Sequence, residues 1–167
     1  VAGSALKNLV RAEPDIERVF TMLNARLCER NSEGYFVTAF AGIFDSSTSR
    51  LRYINAGHPL PCIRLEDGVF RPLPCEVNLV LGGFEDARYS ALETSVPTGS
   101  VLYVYTDGVV EAMNEKAGMY SVERLVRALG STCDDPRKLV EHVFEDVTHF
   151  VGDVAPSDDV TMLCVRF

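Results

Sequence analysis

The chain has 167 residues, of which 47% are hydrophobic and 24% charged, with a formal net charge of −8. That balance suits one globular domain and argues against a disordered tail or a coiled coil. The acidic surplus argues against a generic nucleic-acid binder, which needs a basic face, and is compatible with carboxylates gathered round a divalent cation. No apolar run reaches the roughly 18 residues of a membrane span, and the N-terminus has no basic-then-apolar signal pattern.

Residues 1–10, "VAGSALKNLV", read as the middle of a helix, so the expectation is that more chain precedes Val1. Pro14 fits a first helical position, where its missing N–H costs nothing. Ile16, Val19, Phe20, Leu23 and Leu27 then recur at helical spacing and predict an amphipathic helix ending near residues 31–34. Residues 35–44 are aromatic, β-branched and small in an almost unbroken run, which predicts a strand buried on both faces. A turn cluster at 45–49 and a second strand at 51–55 make an antiparallel hairpin. Residues 62–65 and 69–73 repeat the signal around Glu66-Asp67-Gly68.

Gly82-Gly83 marks a bend before an alternating segment at 89–96. Val101–Tyr105 is a strongly apolar strand, residues 122–129 a short helix, Pro136–Val151 a longer one, and residues 160–167 a last strand. Helix, antiparallel strands, helices, strand: the order is α+β, not alternating α/β. The five cysteines, Cys28, Cys62, Cys75, Cys133 and Cys164, are odd in number and widely spaced, with no C-x-x-C pair. They read as reduced thiols of a cytoplasmic protein, not as disulfides or a zinc site.

Three segments are candidates for chemistry. In "YVYTDGVVEA" a core strand runs into Thr106-Asp107-Gly108. A rigidly held carboxylate followed by glycine suits a hard cation, but a plain D-G turn explains the same residues. In "APSDDVTMLCVRF" Asp158 and Asp159 are adjacent before the last strand. Neighbouring carboxylates are either solvated in a turn or neutralised by a cation. In "YINAGHPLP", Asn55, Gly57 and His58 follow a strand. The histidine is a base, phosphate contact or ligand on one reading, and a residue that shapes its loop through backbone hydrogen bonds on the other. No nucleophile elbow, P-loop or dinucleotide fingerprint is present. His142 and His149 lie two turns apart on the last helix, too far for chelation, and read as surface residues.

In combination, "FVTAFAGIFDSSTSRLRYINAGHPLP", "VLYVYTDGVVEAMN" and "SDDVTMLCVRF" resemble the metal-dependent protein phosphatases (PPM family), in the bacterial SpoIIE/RsbU-like branch, over the whole chain. The resemblance implies an antiparallel β-sandwich flanked by α-helices. It implies two Mn²⁺ or Mg²⁺ ions held by aspartates, and a metal-activated water that hydrolyses phosphoserine or phosphothreonine. Asp107 and Asp158 match the family's metal aspartates, with Asp159 beside them. Gly108, Asn55 and His58 match positions that shape the site. The implied substrate is a phosphorylated anti-anti-sigma (STAS-type) protein, with a sensor domain fused upstream and frequent homodimerisation. The family's earlier G-D-x-x-D and D-x-S-G-H-G segments do not occur in this sequence. Residues 1–167 are therefore expected to be the C-terminal portion of one phosphatase domain that lacks its N-terminal part, inactive by itself. The alternative is a catalytically silent module that binds a signalling partner. The residues encoded before Val1 discriminate the two.

Overall fold

Asp15 begins the first helix. Its backbone is extended and its carboxylate accepts the Glu17 amide at 3.1 Å, satisfying one of the free N–H groups of the first turn. Helix α1 therefore runs Ile16–Cys28, and Pro14 lies before the cap instead of inside the first turn. Ile16, Val19, Phe20 and Leu23 form its buried stripe, as their spacing requires. The computed structural model describes residues 13–29, 31–130, 135–155 and 158–167; the expected helix at 1–10 and Cys133 lie outside them.

The chain forms two compact units. The first combines the described part of Val1–His58 with Pro74–Ser95. Its sheet is antiparallel, in the order β1 (Ala39–Asp45), β2 (Arg50–Ala56), β5 (Leu92–Ser95), with Phe44 opposite Leu51 and Tyr53 opposite Leu92. Ala39, Ala41, Ile54 and Ala56 turn one face toward α1, where Phe20 and Tyr89 meet with ring centroids 5.7 Å apart. Full burial of a side chain such as Phe20 contributes about 1.5–3 kcal/mol.

The strand expected at 35–44 is shorter and more exposed than its composition suggested. Tyr35 and Phe36 precede it and are 75% and 63% exposed, and Ile43 and Phe44 also reach solvent. The reason is positional. Among the described residues β1 is the end strand of its sheet, and the Tyr35 backbone bonds the Asn31 side chain instead of a ladder partner.

The second unit combines Pro59–Leu73 with Val96–Phe167. Its sheet is antiparallel throughout, in the order β4 (Phe70–Pro72), β3 (Cys62–Arg64), β6 (Val101–Tyr105), β7 (Met162–Arg166). Between β6 and β7 lie α2 (Asp107–Val110), α3 (Val122–Gly130) and α4 (Pro136–Val151). Alternation along β6 sends Val101, Tyr103 and Tyr105 into a core with Cys62, Leu125, Leu129, Leu139 and Val143. Helix α4 starts where Pro136 predicts, capped by the Asp135 carboxylate on the amides of Arg137 and Lys138. Asp146 ties it both to the loop before α3, accepting the Tyr120 hydroxyl at 2.6 Å, and to α3 itself, accepting two Arg124 N–H bonds at 3.1 Å. Among the described residues, Cys28, Cys62, Cys75 and Cys164 form no disulfide.

Candidate active site

The apolar strand β6 delivers Thr106, Asp107 and Gly108 to its C-terminal end. The β6–β7 ladder pairs Tyr105 with Met162 and is carried one step further by the Thr106 amide, which donates to the Thr161 carbonyl at 3.0 Å. The Thr106 hydroxyl then works in both directions. It donates to the Asp159 carbonyl at 3.0 Å and accepts the Thr161 amide at 2.9 Å. This stitch lays the Asp158-Asp159 segment against the start of α2.

Gly108 lets it lie there. A Cβ on Gly108 would stand 2.6 Å from the Asp159 carbonyl oxygen and 3.4 Å from that of Asp158. The expected D-G turn is instead the first turn of a short helix, with Asp107 as its first residue and its carbonyl accepting the Glu111 amide. Asp107 Oδ1 accepts the Gly108 amide at 3.1 Å, and Asp158 Oδ1 accepts the Asp159 amide at 2.7 Å. Asp107, Asp158 and Asp159 all face solvent. Two segments far apart in sequence thus present carboxylates from touching backbones.

These donors are hard oxygens of the kind Mg²⁺ or Mn²⁺ prefers. Among the described residues, however, no three carboxylate, imidazole or thiol groups converge into a ready cage. The donor chemistry fits a divalent cation held by Asp107 and Asp158, with water completing its shell. It does not by itself supply a cage for two.

Asn55 and His58 sit in the first unit. Asn55 is 5% exposed; its amide donates to the His58 carbonyl at 2.8 Å and accepts the His58 amide at 2.7 Å. Gly57 has φ +69°, and a Cβ there would meet Val80 Cγ1 at 2.6 Å. His58 Nδ1 lies 3.4 Å from the Thr38 hydroxyl. In both Asn55–His58 bonds the side chain is that of Asn55, and His58, the residue expected to shape the loop, contributes its backbone. Thr106 is the residue that sequence reasoning passed over; its place at a strand end, one step from a D-G pair, was the available signal.

The family model of Stage II sporulation protein E (SpoIIE) matches residues 1–167. The chain belongs to the SpoIIE family. Within it, the chain is a SpoIIE/RsbU-like PPM phosphatase relative, as the three motifs implied. Protein IcfG of Synechocystis sp. is 25% identical over 137 residues, and phosphoserine phosphatase RsbU of Bacillus subtilis 23% over 145. These alignments take in 82% and 84% of this chain. The chain spans only 22% of IcfG and 42% of RsbU. Among solved structures, the SiaA-PP2C domain of Pseudomonas aeruginosa superimposes with a TM-score of 0.85 at 18% identity, over 99% of this chain and 67% of that one. The Mn-presoaked phosphatase domain of Bacillus subtilis SpoIIE gives 0.69 at 15% identity, over 99% and 72%. The fold of this SpoIIE-family chain is therefore the PP2C-type fold expected from its sequence, two antiparallel sheets with helices. Among the described residues no helix is long and apolar enough to cross a membrane.

Proposed function

We propose that this SpoIIE-family chain is the C-terminal portion of a metal-dependent phosphatase domain that hydrolyses phosphoserine or phosphothreonine on a signalling protein. The observation that carries the reading is the contact between the Asp107-Gly108 and Asp158-Asp159 segments, held by the Thr106 hydroxyl. Asp107 and Asp158 supply the charged oxygens for Mn²⁺ or Mg²⁺, with Asp159 beside them, and the remaining ligands of a two-ion site come from upstream of Val1. Such ions, when bound, lower the pKa of a coordinated water and make it a nucleophile toward phosphorus near neutral pH. Thr106 and Gly108 fix the distance between the two carboxylate-bearing segments, so neither aspartate has to be ordered when phosphate arrives. The 167 residues alone bind metal weakly and do not turn over.

By the resemblance of its three motifs, the substrate is a phosphorylated anti-anti-sigma protein in a cytoplasmic sigma-factor pathway, with a sensor domain upstream and a homodimer as the working form; the likeness to phosphoserine phosphatase RsbU supports the phosphoserine part. Removing the phosphate takes away about 1.5–2 negative charges, enough to switch partner binding. The second reading, a silent module that keeps the scaffold and binds a partner, draws on the lack of a three-ligand cluster among the described residues. Phosphate release by the full-length protein from a phosphoserine anti-anti-sigma domain, with and without Mn²⁺, separates the two. Release that needs Mn²⁺ and is lost in Asp107→Asn supports the phosphatase; none under any metal supports the module.

A further inference from the structure

Beside the carboxylates lies a cavity of about 540 Å³, within the second unit. Its walls are apolar: Phe144, Val147 and Val151 from the last turns of α4, Met113 after α2, and Val154 and Val160 from the chain between α4 and β7. Phe144 is 55% exposed, so a large ring faces open space. Asp158 and Asp159 make the lining acidic where the cavity adjoins the candidate metal site, and Gly108 lines both.

We propose that this cavity seats an apolar side chain of the phosphoprotein substrate, carried a few residues from its phosphoserine on a neutral or basic segment. The proposal rests on the phosphatase reading and adds a specificity subsite to it. Three features select this occupant. The shared lining means that a chain reaching the carboxylates passes the cavity. Asp159, beside the two metal-holding aspartates, disfavours an acidic side chain and favours Lys or Arg next to the anchor. The walls also lack the convergent polar groups that orient a small polar ligand. The Thr148 hydroxyl, the neutral polar side chain in the lining, is already spent on the Phe144 carbonyl at 2.8 Å. Phe144 and Val160 are then the specificity residues. They touch the substrate away from the reacting atoms, so they act on KM and not on the chemical step.

The test uses the full-length protein with Mn²⁺ and three substrates. The first is a phosphoserine peptide set with Leu at each of the three positions on either side. The second is the same set with Asp in place of Leu. The third is p-nitrophenyl phosphate, which has no side chain to seat. The expected result is at least one Leu position favoured over Asp by about tenfold or more in kcat/KM. In Phe144→Glu that preference disappears through KM, while p-nitrophenyl phosphate hydrolysis is unchanged. Val160→Asp, on a different segment, repeats the loss. The proposal is overturned if wild-type protein hydrolyses Leu and Asp peptides equally well. It is also overturned if Phe144→Glu and Val160→Asp leave the preference intact, or if they break a dimer, lower the melting temperature or weaken Mn²⁺ binding without moving the peptide KM, the pattern expected if a second copy or the upstream part of the domain fills the cavity. Failure of the phosphatase reading looks different: no substrate, p-nitrophenyl phosphate included, is then hydrolysed by the wild type.

Discussion

Gly108 and Asp159 are packed so closely that a single methyl on Gly108 would stand 2.6 Å from the Asp159 carbonyl oxygen. The obstacle is backbone, which cannot rotate aside as a flexible side chain would. Gly108→Ala is therefore expected to push the 158–159 segment away and strain the Thr106 bonds to Asp159 and Thr161. The cost is about 1–3 kcal/mol, in the range of overpacking. Urea unfolding reads the stability, and Mn²⁺ titration should weaken in parallel. Unchanged values in both would mean that the segment is free to move and that glycine is not needed there.

Thr106→Val keeps the shape and removes only the hydroxyl. It leaves the Thr161 amide without its side-chain acceptor and the Asp159 carbonyl without its donor. About 1 kcal/mol of stability is expected to go, the usual worth of a hydrogen bond. Mn²⁺ affinity should fall more than stability does, because the hydroxyl fixes the spacing of the two carboxylate segments. Denaturation curves and Mn²⁺ titrations of the same preparation check the two effects separately.

Much of this arrangement is written in local patterns. Val101–Tyr105 and Pro136–Val151 have the bounds their periodicity and caps imply, because a core strand and a proline-started amphipathic helix depend little on distant neighbours. Strand β1 does not follow its composition, since burial depends on who lies beside it, and a strand that ends its sheet among the described residues leaves Ile43 and Phe44 reaching solvent whatever their type. Asp107 and Asp158 are legible as candidates through motif and resemblance. The Thr106 stitch that joins their segments depends on the β6–β7 register, which no short window of sequence contains.

Asn24 was equally hidden. It sits on the apolar stripe of α1, fully buried, and its side chain closes the loop across from it: the amide donates to the Phe84 carbonyl at 2.8 Å and the oxygen accepts the Gly82 amide at 2.8 Å. Asn24→Leu strands the buried Gly82 amide and removes the donor to the part-buried Phe84 carbonyl, and is expected to cost about 1–3 kcal/mol. Thermal unfolding of the variant measures this. A stabilised variant would show that the loop bonds water instead.

Asp146 gives a pH dependence of known sign. Its hydrogen bonds from Arg124, then from Tyr120, hold its carboxyl below the usual carboxylate range. A depressed folded pKa contributes stability that is present above the unfolded value, about 3.9, and is lost as pH falls through the folded value. Asp146→Asn should therefore lower the melting temperature at pH 7, and the gap to wild type should close below about pH 4. A gap that stays constant from pH 7 to pH 3 would mean that the carboxylate charge contributes nothing to folding.

Joint binding of a divalent cation by Asp107 and Asp158 is read from paramagnetic broadening by substoichiometric Mn²⁺ in the ¹⁵N-labelled 167-residue chain. The amides of Gly108 and Asp159 should broaden together and first, with an affinity in about the millimolar range expected for few charged ligands. In Asp107→Asn both should stay sharp at the same additions, with the rest of the spectrum unchanged. Broadening centred on other carboxylates, such as Asp45 or Asp67, with Gly108 and Asp159 untouched, would contradict the assignment.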